Sequence, residues 1–368
     1  MPGPGITGRA LSDRSIIAKI GGSSSQKHTS RAAQRKDASE SARPREGKLT
    51  QTEKKRHVLR RRLENLAALA SPILALMFLT YLQSKPNTSH GALTGLFNGE
   101  RAFADLKRIV AFGPRPAGSK NLEFSRGWIL DQLHQAGVET EQDSFVAATP
   151  LGSVPMTNIV AKIPGVSSAV VILGGHYDTK RMATPFVGAN DGGSSAAFLL
   201  EMARVLTQTN NKLTYWLVFF DGEEAIKNWS STDGLYGSRH FARRLAGDGM
   251  LRRVRAVIVV DMVADAHLDI HRETHSTSWL NKIIFRQANR LGFSRYFLKA
   301  GRSVQDDHVP LLEHGVPATD IIDLNYGPLN LFWHSCSDTP DKCSPESLTI
   351  VGQVVQKSLQ VLETAMSP

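Results

Sequence analysis

Along the chain, runs of apolar and β-branched residues alternate with segments of helical spacing. Five runs read as strands: "TNIVAKI" (157–163), "SAVVILGGHYD" (168–178), "LTYWLVFFDGEE" (213–224), "VRAVIVVDMV" (254–263) and "VPATDIIDL" (316–324). They are continuously apolar, the pattern of strands covered on both faces. Three segments place apolar residues three and four apart and read as helices: 192–208, 276–292 and the closing 344–365. Strands separated by helices predict an α/β domain with a mixed, mostly parallel central sheet sandwiched by helices. No internal repeat interrupts this order.

The pattern changes before residue 96. Residues 1–62 are rich in Ser, Gly, Arg and Lys and carry no sustained apolar period. Such a segment buries too little apolar surface to offset its ordering entropy, so a disordered basic tail is expected. "NLAALASPILALMFLTYL", Asn65 to Leu82, then runs without a charge, about the minimum length for a membrane-spanning helix. It follows "KKRHVLRRRLE", and positive residues ahead of the run predict a cytosolic N-terminus with the remainder lumenal or periplasmic. The long basic region and the lack of a small-residue cleavage site argue against removal as a signal peptide. The expected organisation is a tail over 1–62, a transmembrane signal-anchor over 63–83, a linker over 84–95 and a catalytic domain over 96–368.

Composition sharpens this picture. The 368 residues, 41% of them hydrophobic, suffice for one large domain with extensions. A net charge of +10 raises the question of nucleic acid. Yet sixteen Lys and Arg against five Asp and Glu fall before residue 63, leaving the rest of the chain close to neutral. The charge belongs to the tail, and no nucleic-acid partner is expected. Two cysteines, Cys336 and Cys343, exclude a disulfide scaffold; they form a local pair able to bridge in an oxidising compartment.

Active sites of such sheets lie at the carboxyl ends of the strands. There this chain places one kind of residue repeatedly. His176 and Asp178 close one run, Asp191 lies in the Gly-rich "VGANDGGSSAA", Glu223 and Glu224 follow "YWLVFF", and Asp261 closes "VIVVD". Later loops add Asp306, Asp307 and His308 in "SVQDDHVP" and His334 in "LFWHSCSDTPDK". Singly, each has an ordinary reading: a core histidine, a helix cap, a solvated acid. Together they are oxygen and nitrogen donors, the set that zinc takes in a catalytic site with one open position. Two adjacent carboxylates after a buried run also call for a nearby cation.

"HYDT", "GANDGGSS", "FFDGEE" and "FWHSCSDTPDK", in this order, resemble the zinc aminopeptidase superfamily from about Leu96 to the C-terminus. Within it, "EEAIKNWSSTDGLYGSRH", "VQDDHVPLLEHGVP" and the Trp333-His334 pair are similar to the glutaminyl-peptide cyclotransferases. The basic tail and single anchor likewise resemble their Golgi-type membrane-bound members. The resemblance implies one zinc on Asp191, Glu224 and His334, with Glu223 as acid/base. It implies a hydrogen-bonded acidic pair of Asp261 and Asp306, and a pocket lined by Trp229, Gln305 and Trp333. The implied substrates are peptides or proteins with N-terminal Gln, or Glu, cyclised to pyroglutamate with release of ammonia from Gln. Leu329 stands where these proteins carry an aromatic residue, and Gly175 and Ala196 stand where animal members carry cysteines. The alternative is a two-zinc aminopeptidase. There His176 and Asp261 complete a second metal site, Asp191 bridges, and Glu223 activates a water.

Overall fold

The computed structural model describes residues 97–366. The expected tail, anchor (63–83) and linker lie outside the described residues. Among the described residues, no helix is long and apolar enough to cross a membrane.

Six strands form the central sheet: β1 (Glu139–Thr149), β2 (Gly152–Ile163), β3 (Val170–His176), β4 (Thr214–Phe220), β5 (Val254–Asp261) and β8 (Ala318–Ile322), in the order β1-β2-β4-β3-β5-β8. β1, β2 and β4 pair antiparallel, whereas β4, β3, β5 and β8 run parallel. Two short strands, β6 (Ile270–Glu273) and β7 (Phe297–Arg302), pair separately. The expected mixed, mostly parallel sheet is thus present.

Period-two packing explains the continuously apolar runs. Ile159, Ala161, Val171, Leu173, Leu217, Phe219, Ile258 and Val260 face one side. They pack with apolar residues of α1 (Gly99–Val110), α2 (Lys120–Gln135), α3 (Gly193–Leu206), α5 (Ser278–Arg290) and α7 (Pro345–Met366). Val160, Val170, Ile172, Val218, Phe220, Val257 and Val259 face the other side and meet Phe241, Ala242 and Leu245 of α4 (Tyr236–Gly247) and Leu311 of α6 (His308–Glu313). With helices on both faces, β3 is buried throughout, and β4 and β5 are buried at all but one position each.

One expected strand ends early. The run 213–224 leaves the sheet after Phe220, because Gly222 turns the chain at φ +69°. A Cβ there would stand 2.6 Å from Met156 Sδ, so the turn requires glycine. Glu223 and Glu224 therefore sit on a loop just beyond the strand end.

Candidate active site

The parallel register brings the carboxyl ends of β4, β3 and β5 side by side. His176 ends β3, Asp261 ends β5, and Glu223 and Glu224 follow β4 by one turn. Asp191 comes from the loop ahead of α3. That loop is held from two directions. The fully buried Arg115 donates to the carbonyls of Tyr177, Val187 and Gly188. Asp338 accepts the backbone N–H groups of Asn190 at 2.8 Å and Asp191 at 3.1 Å. Because Asp338 lies four residues after His334, it ties the Asp191 turn to the loop that carries the histidine. His334 itself has a left-handed backbone, φ +47°, a strained state for a non-glycine residue.

His334 Nε2 stands 2.9 Å from Glu224 Oε1 and 3.3 Å from Asp191 Oδ2. One donor atom from each of the three residues lies within 4.8 Å of the others. Asp191 Oδ2 is buried and receives no hydrogen bond. Two carboxylates, one imidazole and an orphaned oxygen fit a bound divalent cation of zinc type. Without it, protons and Lys180 do the balancing. Lys180 Nζ donates to Glu224 Oε2 at 3.0 Å. Burial lowers the His334 imidazole's pKa, but its close acidic neighbours Asp191 and Glu224 outweigh it and hold the ring at about 9. Asp191 is the counterpart: burial pushes its carboxyl up, and His176 and His334 hold it well below the usual range.

His176 lies on the far side of Asp191. Its Nε2 is 3.1 Å from Asp261 Oδ1 and 3.3 Å from Asp191 Oδ1, and its Nδ1 is 3.4 Å from Asp178 Oδ1. Asp191 thus turns one oxygen to His176 and the other to His334. Asp261 Oδ1 also accepts the Met262 N–H at 2.8 Å and the Ser195 hydroxyl at 3.2 Å. Burial pushes the Asp261 carboxyl up to about 6, against the pull of His176 and with the support of Asp306 and Asp191. Glu223 is raised well above its ordinary value by burial; Glu224, Asp306 and Asp307 add to this, and His176 opposes it.

These groups open onto a cavity of about 370 Å³. All nine residues singled out for the one-zinc site line it: Asp191, Glu223, Glu224, Trp229, Asp261, Gln305, Asp306, Trp333 and His334. His176 lies beneath the lining. Trp229 and Trp333, 43% and 41% exposed, form the mouth, and Trp333 stacks on His334 with ring centroids 4.1 Å apart. The loop carrying Trp229 is organised by Asp233, which accepts the N–H groups of Ile226, Lys227 and Asn228. Its ends meet where the Leu235 N–H donates to the Glu223 carbonyl.

Carboxyl oxygens of Asp306 and Asp320 lie within 4.8 Å of each other, while Asp261 is engaged by His176, Ser195 and the Met262 amide. Asp261 and Asp306 influence each other through charge. Cys336 and Cys343 are free thiols, the first exposed and the second buried. Arg115, Lys180, Asp233, Asp320 and Asp338 were not singled out from the sequence. Each has a local trace: an arginine between prolines, a lysine after "HYDT", and single acids in "STDG", "ATDII" and "SDTPD".

Residues 158–359, more than half of the sequence, match the profile of peptidase family M28. The chain belongs to that family. Glutaminyl cyclases are among the proteins it is similar to. The structure of an Acidobacteriales bacterium glutaminyl cyclase is 36% identical with a TM-score of 0.71, covering 77% of this chain and 100% of that one. A Porphyromonas gingivalis glutaminyl cyclase is 28% identical with a TM-score of 0.67, covering 73% of this chain and 99% of that one. The glutaminyl-peptide cyclotransferase-like protein of Bos taurus is 29% identical over 302 residues, 74% of this chain and 78% of that protein.

Proposed function

We propose that the chain cyclises the N-terminal glutamine of peptides and proteins to pyroglutamate, with one zinc held by Asp191, Glu224 and His334. The carrying observation is the convergence on one cavity of a three-donor set and a separate buried acid, Glu223. The glutaminyl cyclases named above support the same reading.

In this reaction the α-amine of the substrate forms a bond to its own side-chain amide carbon. The bond from that carbon to the amide nitrogen then breaks, and ammonia leaves. Zinc bound at the three donors supplies a Lewis acid for the amide carbonyl. Glu223 takes the proton of the attacking amine and returns it to the departing nitrogen, so no net proton is consumed within the site. A carboxyl raised by burial suits that exchange. Asp261 and Asp306, further along the same wall, receive the α-amine and orient it. Trp229 and Trp333 at the mouth exclude water and favour ring closure over hydrolysis.

The test is ammonia release from a Gln-peptide together with metal content. One zinc with ammonia release supports the proposal, and absence of turnover on a metal-loaded chain overturns it. A second reading, a two-zinc aminopeptidase, has one observation in its favour: His176, Asp191 and Asp261 also offer donors within 4.8 Å of one another. Two zincs with cleavage of an aminoacyl anilide would select it.

The apolar run over 65–82, behind its basic flank, supports a single-pass anchor over 63–83 with the catalytic domain lumenal or periplasmic. Protease added to sealed vesicles oriented cytosolic side out should trim the tail and spare the domain. Digestion of the domain reverses the orientation.

A further inference from the structure

Behind the Asp306 wall of the cavity lies an enclosed polar cluster that the proposed chemistry does not use. His308 begins α6, Asp320 is the middle residue of β8, and Glu273 ends β6. Their side chains have no exposure to solvent. Asp306, His308 and Asp320 each offer an atom within 4.8 Å of the others.

The two acids of the cluster that lie outside the cavity are served very differently. Glu273 accepts the N–H groups of His275 at 2.9 Å and Ser276 at 2.6 Å and the Ser276 hydroxyl at 2.8 Å. His308 Nε2 stands 3.2 Å from it. Although burial raises its carboxyl, these donors hold it well below the usual range. Asp320 has no such supply. Neither of its carboxyl oxygens receives an N–H or O–H donor, and neither does Asp306 Oδ2. His308 Nδ1 is 3.9 Å from Asp320 Oδ2, beyond a hydrogen bond. Carboxyl oxygens of Asp306 and Asp320 lie within 4.8 Å of each other, with no N–H or O–H donor on either Asp320 oxygen. Asp306 Oδ1 is taken by the Asp307 amide at 2.5 Å. Two carboxylates in contact inside a protein do not both stay ionised, and a proton between them resolves the conflict.

We propose that Asp320 is a positioning residue that keeps its proton and donates it to Asp306 Oδ2. The Asp306 carboxyl is then gripped from both sides, by the Asp307 amide and by the Asp320 O–H, and presented to the cavity in one orientation. That the substrate amine is what Asp306 receives rests on the proposed function; the shared proton does not. The groups facing Asp320 are Asp306, Asp261, Glu273 and His308, and the pair lies beside Asp307. Burial, followed by the charges of Asp306, Asp261 and Glu273, raises the Asp320 carboxyl well above its ordinary value. The donor is therefore present below that raised pKa and lost above it. Asp320 pairs with Val259 in the sheet, inside a strand buried along its whole length. A buried acid at such a position costs stability unless it is protonated or paired.

The experiment uses the metal-loaded full chain and two substitutions. Asp320→Asn keeps the size and a permanent N–H donor. Asp320→Leu removes the donor and leaves Asp306 Oδ2 unpaired. We expect Asp320→Asn to stay within about threefold of the parent in kcat/KM at neutral pH and to lose part of the parent's alkaline decline. Asp320→Leu should lose roughly 10- to 100-fold, the range expected for an orphaned buried acceptor. Metal content should be unchanged in both. Independently of activity, the parent should show a deuterium-sensitive infrared band of a buried carboxylic acid that Asp320→Asn lacks. Equal losses in the two variants, or survival of that band in Asp320→Asn, overturns the proposal. So does loss of a bound metal equivalent in Asp320→Asn, because a cation and not a proton would then join the acids. If Asp320→Leu fails to fold, the infrared comparison and the Asp320→Asn pH profile still decide. Failure of the proposed function would show separately, as a metal-loaded parent that releases no ammonia.

Discussion

Two clusters of buried acids meet at the cavity wall, and they are balanced in opposite ways. At the front, Asp191 and Glu224 face His334 and Lys180, and one Asp191 oxygen is left without a donor. At the back, Glu273 is saturated with donors, while Asp320 lies within 4.8 Å of Asp306 and neither of its oxygens receives a donor. The carboxylate is the same chemical group throughout. Its neighbours decide whether it serves a cation, stays ionised on backbone donors, or remains an acid. The front cluster is the one that needs something from outside the chain.

The largest effect should come from removing a front ligand. Replacing Asp191, Glu224 or His334 with Ala should strip the metal and reduce ammonia release to background, while His176→Ala keeps the metal. Metal analysis after dialysis checks this, and full occupancy in His334→Ala would erase the distinction between the clusters.

Glu223 lies between the two, beside a front ligand yet electrostatically tied to Asp306 and Asp307. Glu223→Gln keeps the shape and removes the mobile proton. Turnover should fall by about 10²–10⁴-fold with metal retained, the usual contribution of a positioned acid/base. Near-parental turnover would transfer the proton role to Asp261.

At the back, the effect should appear in stability and not in metal content. Glu273→Ala leaves His308, three backbone N–H groups and the Ser276 hydroxyl without their acceptor. We expect a loss of about 3–5 kcal/mol by denaturant unfolding, the scale for truncating one partner of a buried charged network. A loss below about 1 kcal/mol would mean that the donors find other partners.

The sequence made the front cluster readable and left the back one obscure, for physical reasons. Strands covered on both faces are continuously apolar, so the ends of β3, β4 and β5 stand out, and with them His176, the Glu223-Glu224 pair and Asp261. The antiparallel edge does not announce itself. In β1, "ETEQDSFVAAT", only Asp143 and Ala147 are buried, and the strand resembles a polar loop. The helices α1, α2 and α4 went unread as well, because their outer faces are strongly polar. Supporting residues were hidden by distance along the chain. Asp338 caps a turn 148 residues away and Arg115 grips carbonyls 62 to 73 residues away, so no local period carries them. The nearness of Asp320 to Asp306 depended on how α6 lies against β8, which no local pattern carries.

The smallest expected effect concerns the protons that balance the front cluster when no metal is bound. His334 is held at about 9, above its ordinary 6.5, by Asp191 and Glu224. A folded-state pKa above the unfolded one stabilises the metal-free protein fully below about 6.5, and that contribution disappears as pH rises through about 9. A zinc ligand must be the neutral imidazole, so the loaded protein has already given up this proton and gains nothing from it. The metal-free chain should therefore lose roughly 5–10 °C in melting temperature relative to the loaded chain between these pH values, the shift expected for about 2.5 kcal/mol in a domain of this size. Metal affinity should rise over the same interval, because the competing proton is leaving. Calorimetric scans of both forms at several pH values check the sign. Parallel slopes would show that His334 carries no proton in the metal-free site, and that Lys180 alone balances the front acids.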